Sequence, residues 1–303
     1  MSTDSTTPPP SEDPNVPASD AAAVPAPSPV EDAETSPVED ATTPPTSVAP
    51  ADGPVADTPP AVDLQTTEQT SLAAPKPAPV SRGLSYAVDI VFCIDVTGSM
   101  TPIIDAVKAN ALGFYDDVQT NLTEKGKNVD ELRVRVIAFR DFAADGDAAL
   151  QESPFFALPG DREDFSQFVD GLIAEGGGDS PESGLEAVAL AVNSPWTTRG
   201  DRRRQVIVVW TDQPAHALDA SLVPPGLRDR VPTDFSALTD LWEDAQGPLG
   251  ASSKRLILFA PDGPGWSDIS GVWENVVHHP SQAGGGLSDV DYGTIVDSIG
   301  NSV

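Results

Sequence analysis

Residues 86–100, YAVDIVFCIDVTGSM, decide the fold. The run from Tyr86 to Ile94 is dominated by β-branched and aromatic residues and is apolar enough to predict a buried strand. It stops at Asp95, and Thr97, Gly98 and Ser99 follow, so oxygen-bearing side chains stand at alternate positions 95, 97 and 99. Thr101 and Pro102 then open a periodic pattern in which Ile103, Ile104, Val107, Ala111, Phe114, Tyr115 and Val118 recur at three- and four-residue spacing, predicting a helix. The oxygens therefore fall between the C-terminal end of a strand and the start of a helix, where open α/β sheets bind ligands.

Outward from this stretch the pattern repeats. Leu132 to Phe139 predicts a second strand ending at Arg140 and Asp141, and Phe155 to Leu158 a short edge strand between prolines. Asp161 is placed to cap a helix with Phe165, Phe168, Val169, Leu172 and Ile173 on one face. Gly176-Gly177-Gly178 stops it, and Asp179-Ser180-Pro181-Glu182 begins the next helix, with Leu185, Val188, Ala189 and Val192 as its stripe. RQVIVVWT at 204–211 reads as a central parallel strand ending at Asp212. A helix over Asp234–Ala245, a strand at Lys254–Ala260, helical or irregular pieces over Trp266–Trp273, a strand near Val276–His278 and a helix from about Asp289 to Ile299 complete the series. Alternating strands and helices predict a Rossmann-like α/β domain: an open, mainly parallel sheet with helices on both faces.

Composition changes abruptly ahead of this domain. The first 85 residues hold 18 of the 31 prolines, no aromatic residue, and 13 carboxylates against Lys76 and Arg82, for a charge of −11. Such a segment buries too little apolar surface to offset about 1–2 kcal/mol of backbone entropy per residue. Residues 1–84 are expected to be a disordered acidic tail and 85–303 the folded domain. All 18 aromatics lie in the latter, which carries −19 of its own. Neither part is expected to hold the basic patch that phosphate neutralisation requires, so nucleic acid and anionic lipid surfaces are expected to be repelled. No basic n-region with an apolar h-region opens the chain and no apolar run approaches about 18 residues, which points to a cytoplasmic protein. The single cysteine, Cys93, falls inside the first strand and is expected to be a core residue.

Three loops thus offer oxygens: Asp95, Thr97 and Ser99; Asp179 and Glu182; and Asp212. Hard divalent cations take such ligands, Mg²⁺ at about 2.0–2.1 Å in near-octahedral geometry, and the lack of accompanying Cys or His argues against zinc. For the 95–99 segment alone, capping of the following helix is an open alternative. His216 is expected to orient its loop by hydrogen bonding, and the tryptophans to pack in the core.

DVTGSM, GGGDSPE and VVVWTD, in that order, resemble the von Willebrand factor A domain and its metal-ion-dependent adhesion site, whose first loop reads D-x-[ST]-x-S. The second loop is similar to the D-x-P-E of integrin β subunits and the GGGDxPE of hemicentin-like A domains. The resemblance covers about residues 85–303 and implies that Asp95, Thr97, Ser99 and Asp212 hold Mg²⁺, or Mn²⁺ or Ca²⁺, with Glu182 completing the set and Asp179 as a lesser candidate. It also implies a protein-interaction module whose ion accepts an acidic side chain from a partner, with Arg140 and Asp141 near the contact. Where the family often has a threonine this chain has Glu182, so three carboxylates with a divalent ion leave about one negative charge.

Enzyme readings find little support. An aspartyl-nucleophile D-x-D pattern would need Asp at 97, no G-x-S-x-G is present, and the glycines at 176–178 lack both the dinucleotide spacing and a P-loop lysine. A Mg²⁺-dependent hydrolase or phosphoryl-transfer accessory and a scaffold with a purely structural metal remain as alternatives.

Overall fold

The computed structural model describes residues 85–178, 180–288 and 290–303; the expected tail at 1–84 lies outside them. β1 (Tyr86–Asp95) is buried at every position, as its unbroken apolar run requires. β2 (Glu131–Phe139) lies parallel to it, and α1 (Thr101–Asn110) and α2 (Phe114–Glu124) connect the two. After β2 come one helical turn, α3 (Phe142–Asp145), and two short strands, β3 (Leu150–Glu152) and β4 (Phe156–Leu158). Both strands pair antiparallel with β2. α4 (Arg162–Asp170) and α5 (Gly184–Val192) lead to β5 (Arg202–Trp210), which flanks β1 on its other side. α6 (Phe235–Glu243), β6 (Lys254–Pro261), α7 (Trp266–Val272), β7 (Val276–Ser281) and α8 (Tyr292–Ser302) follow. The result is a seven-stranded, mainly parallel sheet in the order β3-β2-β1-β5-β6-β7, with β4 beside β2.

The two-residue period of the strands divides the core. Ile90, Phe92 and Ile94 face a layer made by α1, α2, α4 and α8, where Phe92 stacks on Trp210 with ring centres 4.9 Å apart. Val91 and Cys93 face α5, α6 and α7, where Trp242, Trp266 and Ile269 are buried. Burial raises the Cys93 thiol well above its usual range, in keeping with an inert core residue.

Several boundaries differ from expectation, each for a local reason. The periodic segment after Thr101 is two helices rather than one, because residues 111–113 turn ahead of α2. Gly113 weakens a continuous helix there, and the turn sets Phe114 edge-on to Phe92 at 5.5 Å. Asp161 does not cap α4; its carboxylate accepts from the Ala157 N–H at 2.7 Å and closes the turn from β4. α4 ends at Asp170, so Ile173 is 64% exposed rather than on the buried face. The final helix starts at Tyr292, capped by Asp291 through the Thr294 N–H, and not near Asp289, which is outside the described residues.

The most consequential difference concerns α5. It begins at Gly184, not at the DSPE segment. Pro181 donates no hydrogen bond, and the chain around it runs beside 214–216: Glu182 N–H donates to the Pro214 carbonyl at 3.0 Å, and His216 N–H to the Glu182 carbonyl at 2.8 Å. Glu182 is thereby held on an extended segment above the sheet, and its neighbour Asp179 lies outside the described residues.

Candidate metal centre

The parallel register sets Ile94 beside Trp210, so the C-terminal ends of β1 and β5 deliver Asp95 and Asp212 to one place. Both are fully buried. Asp95 Oδ1 accepts from the Thr97 N–H at 2.9 Å and from Thr97 Oγ1 at 2.7 Å, while its Oδ2 accepts from Thr211 Oγ1 at 2.7 Å. Thr97 Oγ1 stands 3.4 Å from Ser99 Oγ, which donates to Asp212 Oδ1 at 2.9 Å. The other Asp212 oxygen accepts from the Gly286 N–H at 2.8 Å. Asp95, Thr97, Ser99 and Asp212 thus form a continuous file of oxygens.

Side-chain capping does not account for the first loop. Thr97 precedes the short 3-10 turn Gly98–Met100 but makes no side-chain capping bond, and neither does Met100 before α1. The two hydroxyls turn to the carboxylates instead. Among the described residues no three Asp, Glu, His or Cys side chains form a metal cage by themselves. An ion placed here would take a mixed shell of carboxylates and hydroxyls.

Glu182 closes the site from the second loop. It is 3% exposed, and its Oε2 has no hydrogen-bond partner. Its other oxygen lies 3.0 Å from where a Cβ on Gly177 would stand, and Thr97 Cγ2 lies 2.4 Å from that same point. Gly177 is therefore pressed between Thr97 and Glu182, and its φ of 86° is one that side-chain-bearing residues avoid. Its N–H donates to Asp145 Oδ2 at 3.0 Å, which ties the glycine loop to α3. Of the three glycines, which the sequence marked as a helix stop and as part of the GGGDxPE motif, Gly177 is the one packed on the site, while Gly176 and Gly178 face Asp145 and Ala144 of α3. Gly177→Ala is expected to destabilise the fold by about 1–3 kcal/mol. Chemical denaturation checks this against Gly98→Ala, where an added Cβ meets nothing within 4 Å.

The electrostatics are those of concentrated, uncompensated negative charge. Burial pushes Asp95 up to about 6, with the charge of Asp212 adding and hydrogen bonds from Thr97 and Thr211 opposing. Glu182 rises to about 9, first through burial and then through Asp95, Asp141, Asp145 and Asp212. Glu186, in the first turn of α5, rises to about 7, chiefly by burial, and its Oε2 is also unpartnered. Among the described residues no Lys or Arg lies within ion-pair distance of Asp95, Asp212 or Glu182.

Arg140, placed by sequence near a partner contact, pairs with acids away from these carboxylates. Its guanidinium pairs with Asp145 at 3.5 Å and Glu175 at 3.6 Å, and donates to the carbonyls of Glu175 and Ala148. Asp141, placed by sequence near a partner contact, is 2% exposed and caps α3 through the Ala143 N–H. It also accepts from Ser183 Oγ and lies 3.4 Å from His216 Nε2. Thr211 and Gly286 belong to the site as well. Thr211, between an apolar run and Asp212, carried a signal; Gly286, from a distant glycine run, carried none.

No family model matches the chain. A 135-residue stretch is 28% identical to the alpha-protein kinase vwkA of Dictyostelium discoideum, spanning 45% of this chain and 20% of that protein. Among solved structures, the vWF domain of the type V pili tip protein Mfa5 from Porphyromonas gingivalis is 19% identical over 44% of this chain and 40% of its own, with a TM-score of 0.30. The pilus adhesin SpaC from Lactobacillus rhamnosus GG, in its open conformation, is 15% identical over 44% and 16%, with a TM-score of 0.32. Proximal thread matrix protein 1 from the mussel byssus is 11% identical over 72% and 47%, with a TM-score of 0.35. The chain spans a fifth of the length of the curated relative it matches.

Proposed function

We propose that residues 85–303 are a von Willebrand factor A-type interaction module that binds a divalent cation and, through it, an acidic side chain of another protein. The observation that carries this is the file Asp95–Thr97–Ser99–Asp212, closed by Glu182, whose buried carboxylates have no cationic partner among the described residues and include an orphaned oxygen. Burying unpaired carboxylates is costly unless a cation joins them, and oxygens alone select a hard ion such as Mg²⁺. Asp95, Ser99, Asp212 and Glu182 would hold it, and Thr97 would orient Asp95. When bound, the ion supplies a positive centre on an otherwise acidic face. Glu182 leaves the set near −1, so the pull on a partner's carboxylate is tempered relative to a threonine in its place.

A hydrolytic reading has a specific counter-argument. Ser183, Asp141 and His216 are neighbours, but Asp141 stands between the other two, contacting both hydroxyl and imidazole. Ser183 is 3% exposed, its Oγ accepts from the Phe142 N–H at 3.0 Å, and it makes no hydrogen bond to His216, so no serine–histidine pair is formed. The test is isothermal titration of the full chain with Mg²⁺ and Mn²⁺, followed by ester and phosphoester turnover assays. One dominant site and turnover no faster than that of Asp95→Asn are expected. Absence of binding heat with both ions overturns the metal reading, and metal-dependent turnover lost in the variant promotes the hydrolase.

A further inference from the structure

The end of the sheet opposite the carboxylates has the opposite charge. Arg202, Arg203 and Arg204 open β5 and, with Asp201, Ser252 and Ser253, line a recess there. Arg255 stands close by, sharing the Ser252 carbonyl with Arg204 at 3.4 and 2.9 Å, and burial together with the charge of Arg204 lowers the pKa of both Arg255 and Lys127. In a domain where carboxylates outnumber basic residues by more than two to one, none of these five forms an ion pair among the described residues. Two acids at this end accept from backbone groups, Asp201 from the Ser85 N–H and Asp130 from the Tyr86 N–H.

Part of this charge has a structural use. Arg204 Nε donates to the Val303 carbonyl at 3.2 Å and Lys127 Nζ to the Gly300 carbonyl at 2.7 Å, meeting the negative end of α8. Arg202 and Arg203 do not share it. Both are exposed; Arg202 lies over the Tyr86 ring at 5.1 Å, and Arg203 donates only to the Thr198 carbonyl. The net charge of the chain does not cancel them. β5 separates Arg202 from Asp212 by roughly 30 Å, whereas charges are screened over about 8 Å at physiological salt. A partner approaching this end therefore meets a local cationic surface.

We propose that this recess is a second interaction surface, one that binds an acidic segment of a partner protein through Arg202 and Arg203, independently of any ion at the carboxylate site. Guanidinium groups pair with carboxylates in a bidentate manner, and the adjacent Ser252 and Ser253 line the recess with hydroxyl groups.

Fluorescence anisotropy of a labelled oligoglutamate peptide with the full chain tests this. Saturable binding is expected, weakening as salt rises from about 0.01 to 0.15 M. Arg202→Gln with Arg203→Gln should weaken it about tenfold at unchanged melting temperature. Arg202→Lys with Arg203→Lys should retain part of it, since the charge stays while the bidentate donors are lost, and Arg162→Gln, on α4, should leave it unchanged. EDTA should have no effect, which separates this surface from the metal reading. Absence of saturable binding, equal binding by the Gln double variant, or tighter binding of a DNA duplex than of the peptide overturns the proposal.

Discussion

Excess Mg²⁺ added to chelator-treated protein at pH 8 is expected to raise the midpoint of thermal unfolding by roughly 5–10 °C, and Asp95→Asn is expected to abolish the rise. Ligand at about a hundred times its dissociation constant stabilises by ~2.7 kcal/mol, and a domain of this size gains about 2–4 °C for each kcal/mol. Asn keeps the shape of Asp95 while removing charge from a fully buried position that accepts hydrogen bonds from Thr97 and Thr211. The effect should depend on pH with a definite sign. Asp95 and Glu182 have folded-state pKa values raised to about 6 and about 9, so the metal-free fold holds protons that the unfolded chain releases. Its stability is fully present below the ordinary carboxylate range and is lost as pH rises through those two values. Mg²⁺ replaces the protons, so its stabilising shift should be small at pH 5 and grow toward pH 9. Differential scanning fluorimetry with and without EDTA measures this; a shift of equal size in Asp95→Asn, or one that shrinks with rising pH, contradicts the assignment.

The strand elements were legible because this domain writes them in unbroken apolar runs. β1, β2, β5 and β6 begin and end within a few residues of where YAVDIVFCID, LRVRVIAF, RQVIVVW and KRLILFA place them. β3 escaped notice because Leu150-Gln151-Glu152 holds one apolar residue and is not bounded by proline at both ends, whereas the equally short β4 is apolar and lies between Pro154 and Pro159. The site was legible to the extent that it sits at strand ends: Asp95 and Asp212 follow directly from where the apolar runs stop. Its glycine loop was not, since the need for Gly177 arises from the approach of Thr97, eighty residues earlier, and of Glu182. Burial of Asp141 and the turning of Arg140 toward Asp145 and Glu175 were equally out of reach, because each depends on α3 folding back over the end of β2. The cationic end of the sheet is a product of the fold too: Arg255 and Lys127 join 202–204 only when β6 and the segment after α2 are brought alongside.

Glu182→Gln is expected to move two stabilities in opposite directions: the metal-free protein should become more stable at pH 8, while the Mg²⁺-induced shift should shrink. Glu182 is the buried carboxylate most strongly displaced from its ordinary range, and one of its oxygens has no partner. At pH 8 the metal-free fold must hold a proton on it, and each pKa unit between that pH and the ordinary value near 4.5 corresponds to about 1.4 kcal/mol. Relaxation and water access remove much of that, leaving a gain on the order of 1–3 kcal/mol for the uncharged isostere, or roughly 2–10 °C. Below the ordinary value near 4.5 the carboxyl carries its proton in both folded and unfolded chains, so variant and wild type should converge there. With Mg²⁺ the balance reverses: one carboxylate fewer leaves the ion with less opposing charge, and affinity should fall at least tenfold, equivalent to about 1.4 kcal/mol. Melting curves at several pH values, each with Mg²⁺ and with EDTA, measure both quantities on one sample. If the metal-free variant is no more stable than wild type at pH 8 while its Mg²⁺ shift is undiminished, Glu182 neither bears the buried charge nor holds the ion, and the second loop contributes only the packing of Gly177.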